Sequence, residues 1–199
     1  MDAILPPGFY DRPTVEVARD LIGARLVHKE GRRRIAGIIV ETEAYCGEED
    51  LGCHAKAGRT PRTQVLYGPP GHAYVYLNYG MHWLFNVVTR PVDQPEAVLI
   101  RAIIPTESLA VVAQRRGRQP RKVWTDGPGK LTQALGITGA YNTLDITVKN
   151  APVFIEQGLK VPDQFVTTTP RIGFNTVPEP WKSMEWRYLA TLPDGYIKN

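Results

Sequence analysis

Two glutamates two residues apart, Glu41 and Glu43, followed two further on by Tyr45, close an apolar run, Ile38-Ile39-Val40. In an extended chain side chains alternate, so these three share one face and Thr42 and Ala44 take the other. The apolar run buries the start of the strand and carries the carboxylates to its edge. Two carboxylates so close on a half-buried face cannot both ionise cheaply; one needs a proton or a strong partner. Arg101, framed by Val98-Leu99-Ile100 and Ala102-Ile103-Ile104, is the natural partner, because a charge inside an apolar strand is rarely free. A carboxylate beside a pocket is also what water activation requires. The pattern alone fits a purely structural Glu–Arg pair equally well.

The second group of interest is Ala73-Tyr74-Val75-Tyr76-Leu77-Asn78-Tyr79-Gly80-Met81-His82-Trp83-Leu84-Phe85-Asn86-Val87, which reads as strand, turn, strand. Tyr74 and Tyr76 share a face. Tyr79, beside Gly80, stands at the hairpin tip, where Asn or Gly would serve a turn better than a large ring. Packing, with Tyr79 capping a strand end, is the plain explanation of such tyrosines and on this stretch alone the favoured one.

These residues need a scaffold. Pro13, Thr14 and Glu16 carry helix-start chemistry, Val17, Ala18, Leu21 and Ile22 form one helical face, and Gly23 closes it. Ala24 to Lys29 and Arg34 to Tyr45 read as strands joined at Glu30-Gly31. Cys46 to Gly71 reads as a long functional or disordered loop. Ala97 to Ile104 reads as a buried strand, and Thr106 opens a helix to about Gln114. The stretch Asp126-Gly127-Pro128-Gly129-Lys130 precedes a short helix, Leu131 to Leu135, whose first amides can meet a phosphate, although P-loop spacing is missing. Ile146 to Ile155, Arg171 to Phe174 and Trp186 to Leu189 read as short strands. Strands and helices without repeated βαβ units predict an α+β fold: one domain, residues 1–199, with a mainly antiparallel sheet, flanking helices and a protruding hairpin.

A chain of 199 residues supports one substantial core. Its net charge of +4 is a mild basic bias, compatible with a polyanion. Arginines gather at Arg32-Arg33-Arg34, at Arg59 and Arg62, and at Arg115-Arg116-Arg118, which favours phosphate contact. Cys46, Cys53 and His54 lack zinc-site spacing, so reduced thiols and no metal are expected. With no signal pattern and no membrane-length apolar run, the expectation is a cytoplasmic monomer, nucleoid-associated in a bacterium, without membrane contact.

Taken in order, Val40-Glu41-Thr42-Glu43-Ala44-Tyr45, Glu49-Asp50, His54, Gly58-Arg59-Thr60-Pro61-Arg62, Pro70-Gly71, Tyr74-Val75-Tyr76, Tyr79-Gly80-Met81, Asn86, Leu99-Ile100-Arg101-Ala102, Gly127-Pro128-Gly129-Lys130-Leu131 and Arg171-Ile172-Gly173 resemble the alkyladenine (3-methyladenine) DNA glycosylase family. This is the type shared by mammals and some bacteria, and the chain reads as a bacterial member. Each motif is weak, and the ordered set, from about Gly8 to Ala190, is specific. Thr63, Ala55-Lys56-Ala57 and Asn78 depart from the family pattern.

The resemblance implies that Glu43 activates water for attack on C1′ of deoxyribose, with Arg101 and the main-chain carbonyl of Ile172 holding that water. It implies a base pocket of Tyr45, His54, Tyr76 and Asn86, the base stacked between the two tyrosines and normal guanine excluded by Asn86. Tyr79, with Met81, matches the wedge that enters the minor groove; Arg59, Arg62 and Lys130 match DNA contacts. The implied partner is double-stranded DNA containing damaged purines, flipped out of the helix, and no cofactor is used. The implied chemistry is hydrolysis without strand cleavage, on 3-methyladenine, 7-methylguanine, hypoxanthine and ethenoadenine.

Two rivals stand beside this. A glycoside hydrolase would use Glu41 and Glu43 as its pair, roughly 6–7 Å apart by strand rise, yet that chemistry needs them flanking the bond rather than on one side. A non-catalytic nucleic-acid module with a tyrosine platform ranks second. It leaves Arg101 and the Glu43 strand end without a purpose.

Overall fold

The computed structural model describes residues 3–193 and 195–197; the expected domain limits, residues 1 and 199, lie outside them. Its elements are α1 (Pro7–Tyr10), α2 (Thr14–Asp20), β1 (Arg25–Glu30), β2 (Arg33–Cys46), β3 (Ala73–Asn78), β4 (His82–Thr89), β5 (Glu96–Glu107), α3 (Leu109–Arg116), α4 (Pro128–Leu135), β6 (Val153–Glu156), β7 (Val166–Thr169) and β8 (Arg187–Ala190). The strands form one antiparallel sheet in the order β3-β4-β5-β2-β1-β6, with β8 also on β2 and β7 on β8. The α+β expectation therefore holds. No helix among the described residues is long and apolar enough to cross a membrane.

β2 is the spine. Residues 35–44 are all buried, as expected of a strand covered on both faces. Its first half pairs with β1, and Glu41, Thr42 and Glu43 pair with β8 along that same edge, while β5 lines the other. Register with β5 shifts between Ile39 and Glu41 and again between Glu41 and Thr42, leaving Val40 on one strand and Arg101 on the other without a partner. These are bulges, which re-aim side chains. Ile39 and Thr42, three residues apart, consequently both face the helices: Ile39 joins the core with Val17, Leu21, Ile100 and Leu135, and Thr42 Oγ1 donates to the Ala18 carbonyl at 2.7 Å.

The opposite face is covered by the loop after β2. It is ordered rather than open, with 3-10 turns at His54–Ala57 and Gln64–Tyr67. Cys53, Ala55, Val65 and Leu66 pack there against Tyr74, Val88 and Ala97. Buried Thr63 pins the loop by donating to the Gly58 carbonyl at 2.7 Å.

Several expectations need correction. Thr106 does not open a helix; β5 runs to Glu107, because Pro105 is tolerated opposite Gly37 at a further register shift, and α3 begins after Ser108 at φ 54. The strand expected from Ile146 shrinks to β6, since Asp145 accepts from the Thr147 amide at 2.9 Å and turns the chain. Arg171 to Phe174 is no strand: Gly173 sits at φ 89, and the Ile172 amide bonds a side chain instead of a neighbouring strand. The last short helix opens earlier than Leu131, with Pro128 in its first turn. Both α1 and β7 gave no sequence signal strong enough to be expected.

Gly23 ties the end of the α2 segment to the sheet. Its amide donates to the Ile39 carbonyl at 2.8 Å and its carbonyl accepts from Leu159 at 2.8 Å. It stands at φ 94, and a Cβ there would lie 2.1 Å from the Leu159 oxygen. Gly23→Ala is therefore expected to destabilise the protein by about 2–4 kcal/mol, combining left-handed strain with the displaced Leu159 contact. The denaturant midpoint measures it, and an unchanged midpoint would refute the account.

Candidate active site

Glu43 has no solvent exposure. Its Oε1 accepts the Ile172 amide at 2.8 Å; its Oε2 accepts the Tyr45 hydroxyl at 2.8 Å and Arg101 Nη1 at 3.2 Å. Arg101 also donates Nε to Glu41 Oε1 at 2.8 Å, and Arg187 Nε donates to that same oxygen at 2.6 Å. Arg101 thus faces both carboxylates, as its apolar setting predicts. Burial opposes its charge, and the Glu43 and Glu41 carboxylates outweigh burial, holding the guanidinium above its ordinary pKa. The Tyr45 phenol is pushed well up by burial, then by the charge of Glu43 and its bond to it, so it stays a donor. Glu41 lines a different groove, with Val40, Ala102 and Leu189. The two carboxylates do not flank a common space.

Beside this cluster lies a cleft of about 590 Å³ whose walls include Tyr45, His54, Tyr74, Tyr76, Asn86 and Phe174. All four residues expected in a base pocket line it. The alternation of β3 and β4 puts them there: Val75, Phe85 and Val87 face the core, so Tyr74, Tyr76 and Asn86 face the loop. Asn86 is fixed by donating Nδ2 to the Tyr74 carbonyl at 3.0 Å. His54 Nδ1 and the Tyr74 hydroxyl are 2.9 Å apart, and the His54 ring lies edge-on to Tyr76 at 4.7 Å. Arg62 covers Tyr76 at 4.8 Å. Among the described residues no group of three or more His, Cys, Asp or Glu could hold a metal ion.

Tyr79 and Met81 stand apart from the cleft, at the hairpin tip, 86% and 70% exposed. Tyr79 and Gly80 take φ of 49 and 69 at the centre of a tight turn closed by the Met81 amide on the Asn78 carbonyl at 3.1 Å, in a loop of three residues between the paired Asn78 and His82. Arg59 pairs with Asp93 and stacks on Tyr67 at 4.3 Å; Lys130 pairs with Asp126 at 2.8 Å. Lys130, Gly129 and Pro128 line a groove with Tyr79 and His82, so α4 opens beside the hairpin tip. Sequence reasoning gave no role to Tyr74, Phe174, Arg187 or the pair Asp50–Arg171. Only Tyr74, in step with Tyr76, carried a usable signal.

A family model described as methylpurine-DNA glycosylase matches residues 8–192. The chain is 51% identical over 170 residues to a Myxococcus xanthus protein, covering 85% of this chain and 81% of that one. It is 46% identical over 197 residues to a Salinibacter ruber protein, covering 94% and 93%, and 45% identical over 185 residues to one from Methanocella arvoryzae, covering 90% of each. All three bear the provisional name 3-methyladenine DNA glycosylase.

Burial lowers the His54 pKa from its ordinary 6.5 to about 4, reinforced by the charges of Arg62 and Lys56. The unfolded chain takes this proton near 6.5 and the folded one only near 4, so this group costs stability progressively as pH falls through that window. The His54 ring resonances are expected to stay constant from neutral pH to about 5 and to move only near 4. An NMR titration centred near 6.5 would overturn the assignment.

Proposed function

Because this chain belongs to the methylpurine-DNA glycosylase family, we propose that it excises alkylated and deaminated purines from double-stranded DNA, with Glu43 as the base that activates water. The observation that carries this reading is a solvent-free carboxylate, gripped by an amide and a guanidinium, directly behind an aromatic cleft. Water, held by Arg101 and the Ile172 carbonyl, gives a proton to Glu43 as its oxygen attacks C1′. The bond from C1′ to the purine nitrogen breaks and its electron pair leaves with the base. An abasic site remains, and the strand stays intact because among the described residues no lysine is bonded at Glu43 to form a Schiff base.

A base inside a duplex cannot reach a cleft of this kind, so the nucleotide is flipped, a cost least for weakly paired lesions. Tyr79, with Met81 beside it, fills the gap; a stacked aromatic is worth roughly 1–3 kcal/mol per base. Arg59, Arg62 and Lys130 meet the phosphates. Tyr45 and Tyr76 offer electron-rich faces to a cationic purine, worth about 0.5–2 kcal/mol. A neutral His54 adds no charge to repel it. This suits 3-methyladenine and 7-methylguanine, which leave readily, and hypoxanthine and ethenoadenine follow more slowly. Asn86, on β4 and tied to β3 through the Tyr74 carbonyl, crowds the 2-amino group of guanine. The protein works as a monomer without a cofactor, in the compartment that holds the chromosome.

Single-turnover base release from methylated DNA and from a hypoxanthine duplex tests this. Glu43→Gln is expected to cut release by about 10²–10⁴-fold while holding abasic DNA as wild type does. Undiminished release by the variant would remove Glu43 from its role. No release by wild type, despite DNA binding, would favour the non-catalytic module.

A further inference from the structure

Asp50 and Arg171 form an ion pair with neither side chain exposed. Arg171 Nη1 meets Asp50 Oδ2 at 2.5 Å and Nη2 meets Oδ1 at 2.8 Å, the two-pronged geometry special to arginine. Nη1 also donates to the Ala44 carbonyl at 2.9 Å, and the Asp50 oxygens accept the amides of Cys46 and Gly52 at 3.1 and 2.9 Å. The guanidinium lies 4.2 Å from the Phe174 ring centre, 4.9 Å from Tyr45 and 5.0 Å from Trp186. Among the described residues its Nε is buried without a partner. Stability alone is a poor reason for such a pair, since apolar side chains of equal volume often do as well or better.

What the pair does is join three pieces of chain that share no strand ladder: the end of β2, the loop at Asp50–Gly52, and the irregular segment after residue 170. The residue following Arg171 is Ile172, whose amide reaches Glu43. Ile172 is 50% exposed and Gly173, at φ 89, turns the chain away. Arg171 is therefore the anchor nearest in sequence to that amide. The guanidinium also backs Tyr45 and Phe174, two walls of the cleft. Gly52 makes room for the Phe174 ring, which a Cβ would approach to 2.1 Å.

We propose that Arg171, locked by Asp50, is a positioning residue that holds the Ile172 amide on Glu43 and the Tyr45 and Phe174 walls of the base cleft. It touches neither base nor sugar. The inference rests on the reading of Glu43 as the water-activating base, and it deepens that reading.

The test combines kinetics with a spectroscopic signature, using the full chain. Arg171→Lys keeps the charge and loses the fork. Its single-turnover base release, per molecule competent to bind abasic DNA, is expected to fall about 10- to 100-fold, the rate equivalent of losing one charge-assisted hydrogen bond. Abasic DNA affinity is expected to stay within about threefold, the difference being under 0.7 kcal/mol. In wild type, Glu43→Gln shifts the Ile172 amide proton resonance; in the Arg171→Lys background the same change leaves it nearly still. If Arg171→Lys does not fold, Phe174→Leu, at a half-buried position, carries the same two readouts in reduced size. A purely structural pair would lower the competent fraction or the melting temperature and leave both readouts as in wild type. That result, in either variant, overturns the proposal. The amide response needs no turnover, so a failure of the glycosylase reading shows separately as absent base release.

Discussion

A carboxylate withdrawn from bulk solvent must be held by donors, and Glu43 imposes that demand on the rest of the molecule. The desolvation cost of such an ion is several kcal/mol. Three donors meet it from three distant parts of the chain: Tyr45 on β2, Arg101 on β5 and the amide of Ile172. Arg101 is itself largely withdrawn from solvent and shares its charge with Glu41, which is also gripped by Arg187 on β8. Charges of alternating sign therefore run from β8 through β2 to β5. Removing one member strands its neighbour in a low-dielectric setting, so the cluster is all-or-nothing in a way that a surface pair is not.

The bulges are what allow a core strand to carry this cluster. Helices cover one face of the sheet and the loop after β2 covers the other. A strand without bulges would put Ile39 on the same face as Glu41 and Glu43. With Val40 and Arg101 each unpaired, the phase changes by one residue between Ile39 and Thr42. Upstream of that point, alternate residues serve the core under the helices. Downstream, Thr42 and Ala44 do so, and the residues between them serve the site. One strand thereby meets both obligations.

Much of this was legible because it depends on periodicity. The alternation of Glu41, Glu43 and Tyr45, the alternation of Tyr74 and Tyr76, and the isolation of Arg101 in an apolar run all follow from a period of two and the cost of a lone buried charge. What stayed hidden was set by tertiary contact. Nothing local distinguishes Val40 as a bulge, and nothing in Pro170-Arg171-Ile172-Gly173 announces that an amide bonds Glu43 instead of a strand. Asp50 looked like one more loop acid until the structure gave it a buried arginine. Thr106 read as the start of a helix, and the pairing of Pro105 with Gly37 on the neighbouring strand resolved it differently. The ordered set of short motifs added what no single element could, the family and hence the DNA glycosylase type.

The hairpin tip shows the opposite economy. Tyr74, two residues from Tyr76 and five from Tyr79, is buried and bonded to His54. Tyr79 is almost wholly exposed and sits in a left-handed conformation, which is unfavourable for any residue with a side chain. Leu77 and Met81 are exposed beside it. The folded protein gains little packing from this ring and bears its strain, while the cleft tyrosines are built into the structure. Such asymmetry is what the proposed function calls for, in which the cleft is rigid before DNA arrives and the tip enters the helix to replace a base. The Glu43 cluster and cleft are pre-organised at the cost of burial, and the tip stays solvent-facing at the cost of exposure. Both costs are met by a single sheet, whose β3–β4 pair runs from the cleft out to the tip.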